Sequence, residues 1–141
     1  MKTKPFFKIV ILEDDDFYNK LLTKYIDSKL NKLSVVHSFN YEIKSYTSCK
    51  DCTLNFDNNT SLLFSDYYLG NGYNARYLLD FVKQRSSDCK VVVISQMQNL
   101  QTSVSTFLEG AYEFFKKDDK LLFNCSELAE TVIREKIARK N

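Results

Sequence analysis

Leu62-Leu63-Phe64-Ser65-Asp66 constrains the fold more than any other stretch of the chain. A short apolar run that ends in one carboxylate reads as a strand buried on both faces, as in a parallel sheet. Tyr67-Tyr68-Leu69-Gly70-Asn71-Gly72 follows, and Gly70 and Gly72 mark a loop. Asp66 then stands at the carboxyl end of a central strand, the edge where open α/β sheets bind ligands. A cap on the next turn is the other reading of a strand-end Asp. The rest of the chain has to decide between them.

Two further apolar runs have the same character. Lys8-Ile9-Val10-Ile11-Leu12 ends in Glu13-Asp14-Asp15-Asp16, and Val91-Val92-Val93-Ile94 ends at Ser95-Gln96. Tyr41-Glu42-Ile43-Lys44-Ser45-Tyr46 alternates apolar and polar and reads as a strand near a sheet edge. Tyr112-Glu113-Phe114-Phe115-Lys116-Lys117 is a fifth strand.

Helical patterns separate the strands. Phe17, Leu21, Leu22, Tyr25, Ile26, Leu30 and Leu33 keep a 3.6-residue period, with Asn19, Lys20, Lys24 and Lys29 off that face. Residues 33–40 read as a frayed helix end or a loop. A short helix is expected around Ser48 to Phe56, then a turn-rich linker over Asp57-Asn58-Asn59-Thr60. Ala75, Leu78, Leu79 and Val82 mark a third helix, broken by Ser86-Ser87-Asp88. Leu100, Val104, Phe107, Leu108 and Ala111 mark a fourth, with Gly110 as its stop signal. The last is expected from about Asp119 to Lys140. This alternation predicts a doubly wound, five-stranded parallel sheet of flavodoxin-like order 2-1-3-4-5, with helices on both faces.

At 141 residues the chain is expected to form one domain, residues 1–141, with no output domain visible. A net charge of +2 is too mild to imply a nucleic-acid surface. No apolar run approaches the roughly 20 residues needed to span a bilayer, and the N-terminus lacks a signal peptide's apolar core. A cytoplasmic protein is expected. Cys49 and Cys52 form a C-x-x-C, but no second pair completes a zinc site, and His37 is the sole histidine. Cys49, Cys52 and Phe56 share helical spacing, so these thiols read as core.

Four acids at one strand end repel one another. Asp15 or Asp16 is accounted for as the N-cap of the next helix. Glu13 and Asp14 are not, and a cation would relieve them. The predicted strand order brings them beside Asp66, with Ser95 and Lys117 on the other side. Three hard carboxylates with room for water suit Mg²⁺. An Asp carboxylate can act as a nucleophile that forms an acyl phosphate, with Lys117 and Ser95 as donors to the phosphoryl group.

These residues resemble the receiver domain of two-component response regulators. The likeness runs over nearly the whole chain. It rests on Glu13-Asp14 after the first strand, Asp66 in Leu63-Phe64-Ser65-Asp66-Tyr67-Tyr68-Leu69, Ser95 after the fourth strand and Lys117 in Phe114-Phe115-Lys116-Lys117. Gly110-Ala111 before the fifth strand adds to it. The resemblance implies that Asp66 accepts a phosphoryl group from a histidine kinase or phosphotransfer protein. It implies Mg²⁺ held by Asp14, Asp66 and the main-chain carbonyl of Tyr68, with Glu13 acting through a metal-bound water or as an acid behind the ligands. It also implies a Lys117–Asp66 pair before phosphorylation, and Ser95 and Phe114 as switch residues. The output would be the helix 4–strand 5–helix 5 face, a surface for a partner or a homodimer, with no direct DNA or membrane binding. Such a domain is a signalling phosphoacceptor, at most catalysing its own phosphotransfer and dephosphorylation.

A degenerate receiver that only binds proteins is the alternative. A flavodoxin would want a phosphate-cradling loop where Glu13 to Asp16 stand, and an Asp-x-Asp phosphatase an acid where Tyr68 stands.

The chain departs from the family pattern in three places. Asp118 replaces the proline usually found after the lysine, so a trans or visibly strained 117–118 peptide is expected. Leu69-Gly70 replaces Leu-Pro, which predicts a looser loop. Gln96 stands where a small residue is usual after Ser95, and bulky Tyr68 sits two past Asp66, which predicts a shielded acyl phosphate and slow self-dephosphorylation.

Overall fold

Each apolar run forms a strand in the computed structural model, which describes residues 3–86, 88–96 and 105–140. The strands are β1 (Phe6–Leu12), β2 (Asn40–Tyr46), β3 (Thr60–Asp66), β4 (Lys90–Ser95) and β5 (Glu113–Lys116). Between and after them lie α1 (Asp16–His37), α2 (Cys49–Leu54), α3 (Ala75–Arg85) and α5 (Leu121–Lys140). The expected fourth helix falls partly outside the described residues. Its described part, residues 105–108, is helical and is labelled α4. Gly110 ends it at φ 108°, where its N–H donates to Phe107 O and that of Ala111 to Thr106 O.

All five strands are parallel, in the order β2-β1-β3-β4-β5. The flavodoxin-like expectation therefore holds. β3 lies at the centre and is buried at every position except Asp66. Its alternating side chains feed two cores, because successive residues of a strand point to opposite faces. Leu62 and Phe64 join Phe7, Ile9, Ile11, Val92 and Ile94 beneath α1 and α5. Leu63 joins Val10, Leu12, Val91 and Val93 beneath α2 and α3. Each such side chain contributes roughly 1.5–3 kcal/mol of burial free energy.

Helix α1 differs from its sequence reading at three points. It runs unbroken to His37 and closes on Ser38, which takes a left-handed φ of 53°. Phe17 and Tyr25, assigned inward, are exposed, with Phe17 at 73%. Asn19, assigned outward, is buried. Phe17 lies in the first turn, just beyond the end of the sheet that the apolar stripe covers. Asp15 is the N-cap, accepting from Tyr18 N at 2.9 Å.

The four cysteines are free and buried. Cys49, Cys52 and Cys89 belong to the α2–α3 core and Cys125 to the other. Burial pushes the Cys52 and Cys89 thiols up to about 12, and raises Cys49 and Cys125 as well. The thiolate is the reactive form, so these groups are inert in the folded chain. Ellman's reagent near neutral pH is expected to leave the native protein unlabelled and to titrate four thiols in guanidinium. Rapid labelling of Cys49 or Cys52 in the native state would restore a chemical role for the C-x-x-C.

Candidate functional site

The carboxyl ends of β1, β3 and β5 converge on one cluster. The backbone past β1 is fixed first: Glu13 N donates to Tyr46 O at 3.1 Å. Buried Asn19 donates to Glu13 O at 3.0 Å and Tyr46 O at 2.8 Å. Asn19 thus holds the β1 and β2 ends together under the acidic loop. Helical periodicity placed it among the polar residues of α1, because period alone cannot separate a solvated amide from a buried one with partners.

β3 carries Asp66 to the same edge, where Tyr67 N donates to Ile94 O at 2.8 Å. Lys117 follows β5, and its own N–H donates to Ser95 O at 2.8 Å. The Ser95 side chain is buried between these anchors. No peptide bond is cis among the described residues, so the 117–118 bond is trans, as expected without the proline.

Glu13, Asp14 and Asp66 each offer a carboxylate oxygen within 4.8 Å of the others, and the three grade from buried Glu13 to exposed Asp14. Lys117 lies among them with its side chain only 7% exposed. Its ammonium donates a short hydrogen bond to Glu13 Oε1, while Asp66 Oδ2 is 3.6 Å away. Glu13 is therefore the nearer partner of Lys117, where the resemblance implied Asp66. The Tyr18 ring centroid lies 4.9 Å from the Lys117 ammonium, a cation–π contact on its remaining side. Tyr18 was not singled out in the sequence, where it sits on the polar flank of the helix.

The charges do not balance. Burial pushes the Asp66 carboxyl up to about 8, helped by the adjacent Glu13 carboxylate; Lys117 opposes the rise and Asp14 adds to it. Burial acts to lower the Lys117 pKa, but the Glu13 hydrogen bond and the charges of Asp66 and Glu13 outweigh it, leaving it raised. Glu13 Oε2 is buried with no hydrogen-bond partner among the described residues. An orphaned buried carboxylate oxygen is costly unless something supplies positive charge or a proton. The donor set is three hard oxygens, one of them unsatisfied and one open to solvent, and it fits a hydrated Mg²⁺.

The loop after Asp66 is closed by main-chain hydrogen bonds. Leu69 N donates to Tyr73 O, Tyr73 N to Gly70 O and Ala75 N to Tyr67 O, all at 2.8–3.1 Å. Gly70, Asn71 and Gly72 all take positive φ to close it. Asn74 then caps α3. Tyr67 and Tyr68 pack edge to face at 4.8 Å beside the site, with Tyr68 and Gln96 exposed. Phe114 lies half-buried against the α2–α3 core.

No protein-family model and no curated protein matches this chain. Solved structures do. One is the N-terminal domain of an uncharacterized protein from Wolinella succinogenes, at TM-score 0.76 and 19% identity over 94% of this chain and 98% of that one. Another is the BeF3-activated receiver domain of DrrB from Thermotoga maritima, at 0.74 and 15% over 92% and 98%. The signal receiver domain of a DNA-binding response regulator from Colwellia psychrerythraea 34H gives 0.71 and 17% over 88% and 98%. The chain has the fold of response regulator receiver domains.

The raised Asp66 pKa has a consequence for stability. An unfolded Asp titrates near about 3.9, so between pH 4 and 8 the folded chain binds the extra proton. Stability that this group confers below pH 4 is then lost as pH rises towards 8. Asp66→Asn, neutral at every pH, is expected to raise the metal-free melting temperature at pH 7.5 by several degrees, on the order of 1–2 kcal/mol. The gain should shrink towards pH 4. A melting series in chelator checks this, and an unchanged or lowered melting point at pH 7.5 would refute it.

Proposed function

We propose that residues 1–141 act as a cytoplasmic receiver domain that takes a phosphoryl group onto Asp66 from the phosphohistidine of a histidine kinase or phosphotransfer protein. The observation that carries this reading is the convergence of Glu13, Asp14 and Asp66 around Lys117 on a sheet of receiver order. No helix among the described residues is long and apolar enough to cross a membrane.

Asp14, Asp66 and the Tyr68 main-chain carbonyl would hold Mg²⁺, with Glu13 acting through water. The bound ion would supply the positive charge that the buried carboxylates lack and would offset charge on the phosphoryl oxygens. Asp66 first gives up its proton to solvent. Its oxygen then attacks phosphorus in line, the P–N bond breaks, and the imidazole leaves with the bonding pair. The product is an acyl phosphate at Asp66. Lys117 is already 3.6 Å from Asp66 Oδ2, and a small shift away from Glu13 brings its ammonium onto a phosphoryl oxygen. The Ser95 hydroxyl donates to another. Both residues are tied to β4 and β5 by the Lys117 N–H to Ser95 O bond, so their movement is passed to that face. Phe114 turns inward in step. Phe107 and Leu108 on α4 are exposed, Leu108 at 83%, and offer apolar surface there for a partner or a second copy. Hydrolysis by water returns Asp66 and releases phosphate.

Incubation with acetyl phosphate and Mg²⁺ is expected to add the mass of one phosphoryl group, and Asp66→Asn to abolish the gain. A wild-type chain that gains no mass would leave a receiver fold used only for protein binding. The bulk of Tyr68 and Gln96 around the site predicts slow loss of the phosphoryl group. Gln96→Ala is expected to speed decay of the acyl phosphate by up to about tenfold, or 1.4 kcal/mol of barrier. An unchanged decay rate would remove the shielding role.

A further inference from the structure

The opposite end of the sheet carries a second concave site, independent of the acidic cluster. A cavity of about 500 Å³ opens at the N-terminal ends of β1 and β3. Its walls include Phe6 and Lys8 of β1, Asn58 and Asn59 of the preceding linker, and Lys136 and Arg139 of α5. The volume lies within the roughly 300–1,000 Å³ typical of small-molecule sites.

The charges in this cavity are incompletely paired. Lys8, Lys29 and Lys117 each have a carboxylate partner: Asp57, Glu127 with Glu130, and Glu13 with Asp66, while half-buried Lys90 lies over the Tyr112 ring. Lys136 is half-buried too, yet its only hydrogen bond among the described residues is to the main-chain oxygen of Asp88, at 2.9 Å. No carboxylate lies within ion-pair distance of it or of Arg139 among the described residues. Burial lowers the Lys136 pKa; Asp88 works against this, while Lys90 and Arg139 add to it. Two cations are thus held close with one acid nearby. The carbonyl end of α5 contributes about half a negative charge, which does not cancel them.

An anion would relieve this arrangement, and a phosphate suits it best: Arg offers a planar fork for two oxygens and Lys a point charge for a third. A phosphate alone would fill little of the space. The remainder is bounded by the Phe6 ring, 49% exposed, and by two side-chain amides able to both donate and accept. An exposed ring beside amides is a platform for a heteroaromatic base.

We propose that this cavity binds a mononucleotide, with its phosphate between Lys136 and Arg139 and its base on Phe6 against Asn58 and Asn59. The test is a titration of the whole chain with AMP and with GMP, in low salt without Mg²⁺, followed by amide chemical shifts. Saturable shifts at Phe6, Asn59 and Lys136 are expected with at least one nucleotide. A Lys136→Gln/Arg139→Gln variant with an unchanged melting temperature should bind at least about tenfold more weakly, as loss of charge-assisted hydrogen bonds predicts. The nucleoside without phosphate and inorganic phosphate alone should each bind more weakly than the nucleotide. Phe6→Leu should weaken the nucleotide and not inorganic phosphate. The proposal fails if neither nucleotide saturates at millimolar concentration, if the double variant binds equally well, or if inorganic phosphate binds as tightly.

Discussion

One buried lysine serving more carboxylates than it can neutralise is the interaction on which the functional end of this molecule depends. Lys117 satisfies one oxygen of Glu13 and lies within reach of Asp66. It leaves Glu13 Oε2 without a partner among the described residues and Asp66 inclined to hold a proton. A site built only for stability would pair its charges or replace them with apolar groups, because breaking even on a buried ion pair is difficult. The deficit of positive charge is one that a cation or extra donors would relieve.

The scaffold makes that deficit tolerable by fixing the backbone around it. Asn19 joins the ends of β1 and β2, Tyr67 N–H ties the β3 end to β4, and Lys117 N–H ties the β5 end to β4. Beneath them β3 is buried on both faces and shared between two cores. Charged side chains are therefore held close by elements whose ends are tied to one another, which is the usual condition for a pre-organised site. The Tyr18 ring closes the remaining side of Lys117.

Much of the fold was legible because its strands are continuous apolar runs with abrupt polar ends. Such runs belong to parallel sheets, and alternation with helical periods leaves few topologies. Helix α1 was less legible. Phe17 keeps the apolar period yet lies exposed, and Asn19 breaks it yet lies buried. Both stand in the first turn, where the helix leaves the sheet and its neighbours are loop backbone instead of core. The loop after Asp66 shows the same limit: glycine permits a loose chain or a tightly closed one, and the main-chain bonds among Tyr67, Leu69, Tyr73 and Ala75 select the closed form.

By itself the sequence determined the order of the elements, the acids at the ends of the first and third strands, and the lysine at the end of the fifth. These follow from local pattern, since strand ends and charge types can be read along the chain. Only the tertiary structure decided how the charges are shared. Glu13 is nearer to Lys117 than Asp66 is, one Glu13 oxygen is left over, and Asp66 is pushed towards its protonated form. These facts depend on burial and on distances of a few ångströms between residues about 50 to 100 positions apart, and no linear pattern encodes them. The cations of Lys136 and Arg139, with no carboxylate partner among the described residues and near Phe6 across the whole length of the chain, became visible for the same reason.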